Sequence, residues 1–130
     1  MPDKFRRMME NPSEWRLRMS EIIAGKLDMD QFGVAGVYLI GSVKRFTAGP
    51  GSDIDLLIHF RGSEEQKKEL KAWLKGWGEC LAFFNNTLNG SATENLFDLH
   101  FITDNDIKLQ TSYAVMINSV NDRAKPLKLK

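Results

Sequence analysis

The stretch VAGVYLIGSVKRFTAGPGSDIDLLIHF, residues 34–60, contains two apolar runs separated by a turn rich in glycine. Its first seven residues are apolar and partly β-branched with no polar alternation, the pattern of a strand covered on both faces. That run leads into Gly41-Ser42 and crosses a loop containing Ala48-Gly49-Pro50-Gly51. A second strand-like run follows from Ile54 to Phe60. Two neighbouring strands around such a turn predict a sheet, and the rest of the chain must supply what covers it.

Working outward, Ser63 with Gln66 three residues on forms a capping-box pattern. Behind it Leu70, Trp73, Leu74, Trp77 and Leu81 recur at three- and four-residue spacings, which predicts a long helix whose tryptophans are core. Gly76 and Gly78 weaken that helix by about 1 kcal/mol each relative to alanine, so either one marks a bend or a close approach to the sheet. The cluster Asn85-Asn86 with Asn89-Gly90 closes it. Residues 95–102 alternate apolar and polar side chains, as a strand with one polar face does. Thr103 with Asp106 then predicts a second cap, opening a helix that carries Ile107, Ala114, Val115 and Ile117. Residues 125–130 read as a short edge strand, where Pro126 and the lysines discourage further pairing.

Upstream, residues 13–25 predict a helix capped by Ser13 and ended by Gly25, while residues 1–12 read as a flexible lead-in or linker. The domain is therefore expected over residues 13–130. At 130 residues, 42% hydrophobic and 27% charged, the chain has room for one core and little more. Eighteen basic residues against seventeen acidic ones give a net charge of +1, so no global field draws the protein to nucleic acid or membrane. No apolar window is long enough to span a bilayer, and a cytoplasmic location is the expectation. The single cysteine, Cys80, reads as helix core.

Asp53 and Asp55, two residues apart at the start of an extended run, leave the strand on the same face. Two converging carboxylates repel unless a divalent cation or arginines lie between them, and all-oxygen ligands favour Mg2+ or Mn2+. Twelve residues before Asp53, Gly41-Ser42 at the exit of the first strand offers backbone N–H groups and a hydroxyl to phosphate oxygens. Lys44 and Arg45 form a basic loop beside it. A third acid, Asp98, lies on the later strand, and His100 shares its face. His100 is read as a structural histidine ahead of a base or a shaper of the metal site. His59 lies about 13 Å beyond Asp55 and is too distant to share a ligand set.

Gly41-Ser42 followed by Gly49-Pro50-Gly51-Ser52-Asp53-Ile54-Asp55-Leu56-Leu57-Ile58 resembles the signature of the DNA polymerase β-like nucleotidyltransferase superfamily, in its minimal type. The resemblance covers residues 34–103 and implies an α+β (α/β) fold, a short mixed sheet with helices packed against it. It implies that the glycine-serine turn binds nucleotide phosphate and that Asp53, Asp55 and Asp98 are the catalytic metal ligands. Ser52 and the loop bases Lys44 and Arg45 are then nucleotide contacts. Minimal members often have glycine after the loop arginine, where this chain has Phe46. Residues 47–55 and 111–115 also resemble nucleotidyltransferase-like domains at the C-terminal end of large proteins related to pyruvate phosphate dikinase.

The expected reaction is transfer of a nucleoside monophosphate from a triphosphate to an acceptor hydroxyl by two-metal phosphoryl transfer, with Mg2+ or Mn2+ as cofactor. The acceptor is open, with a partner protein or a neighbouring domain of a larger chain among the candidates and nucleic acid disfavoured by the charge balance. The competing expectation is a non-catalytic nucleotide-binding or regulatory module, or the antitoxin of a toxin-antitoxin pair.

Overall fold

The computed structural model describes residues 3–130. Its centre is the strand pair expected from residues 34–60: β1 (Val34–Ile40) and β2 (Ile54–Phe60) run antiparallel, with Ile40 across from Asp55. The third strand, β3 (Phe97–Ile102), pairs parallel to β2, and the short β4 (Lys125–Leu127) pairs antiparallel to β1 on the other edge. The sheet is thus four-stranded and mixed, in the order β3-β2-β1-β4. A parallel pair cannot be joined by a hairpin, and the crossover from β2 to β3 is made by one long helix.

That helix, α5 (Glu64–Asn89), begins at the expected capping box, with Ser63 and Gln66 each bonding the other's backbone N–H, and ends at Gly90 in the left-handed region. With α2 (Pro12–Ala24) and the single turn α3 (Met29–Phe32), it covers one face of the sheet. Trp15, Ile23 and Leu27 meet Val37, Leu39, Leu56 and Ile58 there, against Leu70, Leu74 and Leu81 of α5. Trp73 and Trp77 pack edge to face on the border of this core, as their helical spacing predicted. Gly78, and not Gly76, is the point of close approach. A side chain at 78 would collide with Asn95, and the Gly78 carbonyl accepts the Leu96 N–H at 3.0 Å. Position 76 faces open space.

The opposite face carries a smaller cluster of Ile40, Leu57, Ile102, Ala114 and Ala124. It is covered by α6 (Asp104–Leu109) and a 3-10 helix (Ser112–Ile117). The Thr103–Asp106 cap forms as expected, but the single helix expected through Ile117 does not. Gln110 turns left-handed at φ 53°, and the chain restarts as 3-10. Asp106 accounts for the stop, since its carboxylate accepts from Thr111 as well as from Thr103.

Three further expectations are corrected. Residues Asp3–Glu10 form a helix, α1, packed against α2, where no element was read. The cap of α2 is Asn11, which accepts from the Ser13 and Glu14 N–H groups with Pro12 in the first turn; Ser13 itself is buried and accepts from the Ala48 N–H. Cys80 is exposed, because it falls outside the phase set by Leu70, Leu74, Gly78, Leu81 and Asn85. Among the described residues, no helix is long and apolar enough to cross a membrane.

Candidate active site

Strand register makes the site. Asp55 sits directly across from Asp98 on the parallel neighbours β2 and β3, and side chains at paired positions leave a sheet on the same face. That is the face of the smaller cluster, and at its upper edge neither the 3-10 helix nor the loop after β1 closes over the two acids. His100 follows Asp98 on the same face. Its Nε2 lies 3.5 Å from Asp55 Oδ1 and 3.4 Å from Asp98 Oδ2. One donor atom from each of Asp55, Asp98 and His100 lies within 4.8 Å of the others.

The turn after β1 fits around this group. Gly41–Lys44 forms one helical turn, α4, and Gly41 takes φ 76°. A β-carbon at Gly41 would run into the Asp55 carboxylate, so glycine answers two demands, the left-handed backbone and the space of the acid. Gly41 and Arg45 line the same cleft as Asp55, Asp98 and His100, together with Tyr113. The Tyr113 ring rests against the His100 imidazole, with centroids 4.4 Å apart and planes at 51°.

Of the other candidates, Ser42, Lys44, Ser52 and Asp53 stand outside the wall of that cleft. Asp53 precedes β2 on the glycine-proline loop and is exposed. Ser52 is tied into the loop: its hydroxyl accepts the Gly49 N–H at 2.9 Å, and its carbonyl accepts from Arg16 at 3.0 Å. Lys44 and Arg45 both reach Asp122, at 3.2 and 3.0 Å. Phe46 holds a left-handed φ of 61°, so this chain keeps a backbone shape natural to glycine at the position where it departs from minimal members.

Two residues important to this geometry carried no signal of that role in the sequence. Arg16 is fully buried, and its guanidinium donates to the carbonyls of Ser52, Pro50 and Pro12 and to the Asn85 side chain. It looks like any surface base of an N-terminal helix until the loop folds over it. Asp122 lies far along the chain in an irregular segment, in left-handed conformation at φ 51°.

Electrostatics follow from this crowding. The Asp55 carboxyl is pushed above the ordinary carboxylate range, first by burial and then by Asp98, with His100 opposing. Asp53, on the exposed loop, is raised by partial loss of solvent and by the Asp98 charge, with Arg16 opposing. His59, by contrast, is committed elsewhere: its Nε2 stands 2.6 Å from Asp104, which also takes Arg61. Two carboxylates and an imidazole around one point, with Asp98 helping to raise Asp55, fit a divalent cation.

The family model described as a nucleotidyltransferase domain matches residues 21–113, well over half of the chain. No curated protein and no solved structure matches it.

Proposed function

This chain belongs to the nucleotidyltransferase domain family, and from that premise we propose that it moves a nucleoside monophosphate from a nucleoside triphosphate to an acceptor hydroxyl, using Mg2+ or Mn2+. The observation that carries the reading is the pairing of Asp55 with Asp98 across two parallel strands, beside a glycine that no other residue can replace without striking Asp55.

When bound, the divalent ions supply the charge neutralisation and Lewis acidity of two-metal phosphoryl transfer. Asp55 and Asp98 hold them in this reading, and Asp53, which feels the Asp98 charge, completes the carboxylate set. Asp98, with 53% of its side chain open to solvent, takes the proton of the acceptor hydroxyl. The Gly41–Lys44 turn offers backbone N–H groups to a phosphate, and Arg45 on the cleft wall pairs with triphosphate oxygens. Ser42, Lys44 and Ser52, in the adjoining turn and loop, are proposed as further nucleotide contacts. The acceptor is a hydroxyl on a partner protein or on a neighbouring domain of a larger chain.

A nucleotide-sensing or antitoxin module without turnover is the second reading. It is favoured by Asp122, which occupies both loop bases and would have to be displaced by phosphate.

Incubation with labelled ATP, CTP, GTP or UTP, Mg2+ or Mn2+ and candidate protein acceptors tests the choice. Transfer by the wild type that falls at least a thousandfold in Asp55→Asn supports the enzyme. Nucleotide binding with no transfer to any acceptor supports the sensing module.

A further inference from the structure

We propose that the metal ion of this site is held by a nitrogen as well as by oxygens: His100 Nε2 is a ligand beside Asp55 and Asp98, and the site prefers a first-row transition cation to Mg2+. The inference rests on the metal-dependent reading above and concerns only which donors and which cation that site uses.

Distances carry the argument. The imidazole nitrogen stands 3.5 Å from one oxygen of Asp55 and 3.4 Å from one oxygen of Asp98. Both separations exceed the roughly 2.7–3.2 Å of a good N–H···O hydrogen bond, so His100 makes only a long electrostatic contact with each acid. They match donors that share one ion, since two ligands each about 2.1 Å from a common cation are about 3.4 Å apart at an angle of roughly 110°. His59 shows what a committed histidine looks like in the same protein, with its Nε2 at 2.6 Å from a carboxylate oxygen. The Tyr113 ring rests against the His100 imidazole and limits its rotation.

The donor set then selects the ion. Mg2+ is a hard cation that takes oxygen ligands and keeps its waters, and an imidazole gains it little. First-row divalent ions accept imidazole, with affinity for nitrogen and oxygen sites rising from Mn2+ to Cu2+ and falling again at Zn2+. A site with two carboxylates and one imidazole accordingly discriminates against Mg2+ in a way that carboxylates alone do not.

Mn2+ is a direct probe, since its electron spin reports the nuclei bound to it. We expect pulsed EPR of the Mn2+-loaded protein to show coupling to 14N that becomes 15N coupling when the histidines are 15N-labelled. His100→Phe, which keeps a ring for Tyr113, should remove that coupling and weaken Mn2+ at least tenfold while changing Mg2+ binding less than threefold. Labelled wild-type protein gives the answer even if the variant fails to fold. Mn2+ that binds stoichiometrically, is lost in Asp55→Asn and shows no nitrogen coupling overturns the ligand assignment and leaves the metal site standing. Failure to bind Mn2+ at all, or binding untouched by Asp55→Asn, overturns the metal-site reading and the assignment together.

Discussion

Gly41 and Arg16 show how single residues hold the site in shape from outside the chemistry. An alanine at 41 would have to adopt φ 76° and displace the Asp55 carboxylate. The backbone cost alone is about 1 kcal/mol, and a misplaced ligand costs more in rate than in stability. Gly41→Ala is therefore expected to lower the melting temperature by only a few degrees while cutting nucleotidyl transfer at least tenfold; calorimetry and a transfer assay read the two effects separately. Arg16 has the opposite balance. It is fully buried, and it links α2 to the loop carbonyls of Pro50 and Ser52 and to Asn85 of α5. Arg16→Met would leave the Ser52 carbonyl without its donor and would remove one of two donors from both the Pro50 carbonyl and the Asn85 side chain, a loss of about 2 kcal/mol that urea unfolding should show as a lower midpoint at unchanged m-value. A loss below 1 kcal/mol would mean that the loop keeps its shape without the guanidinium.

The elements differ in how openly the chain announces them. Both central strands, the capping boxes at Ser63 and Thr103, and the edge strand near Pro126 were legible, because each depends on residues within a few positions of one another. The stop at Gln110 was not, since it depends on one carboxylate, Asp106, being shared between two threonines on either side. Helix α1 is short, and its contact with α2 supplies what its own eight residues cannot. A proline in the first turn would have pointed to Asn11 as the cap of α2. The segment before β4 and the turn after β1 also meet through Asp122, Lys44 and Arg45. This exposed rim contact is weak, and on the proposed function triphosphate competes with it. Asp122→Asn is expected to tighten ATP binding by two- to fivefold with little change in melting temperature, as titration calorimetry can measure; unchanged or weaker binding would show that Asp122 does not hold the bases back.

At the scale of the molecule the site sets a pH dependence. Asp55 and Asp53 have folded-state pKa values raised above their unfolded ones, so their contribution to stability is fully present below the unfolded value and is lost as pH rises through the raised one. Asp104, Asp106 and Asp122 are lowered and act in the reverse sense, with stability present above the unfolded value and lost as pH falls through the lowered one. These three lie at the surface, and solvent screening reduces their weight. Metal-free protein should thus lose stability as pH climbs from about 4 through the raised range, and a divalent cation should restore it by compensating the ionised acids. Thermal melts across pH 4–7 should show a metal-induced gain that is absent at the acid end and grows with pH; a gain independent of pH would refute the coupling. Local pattern along the chain was enough for the two central strands, the crossover helix and the candidacy of Asp53, Asp55 and Asp98, because periodicity, caps and glycine turns act between near neighbours. That Asp55 faces Asp98, that His100 joins them, and that Arg16 and Asp122 attend the loops emerges once the chain is folded. Those meetings depend on strand register and loop closure over tens of residues, which no local pattern encodes.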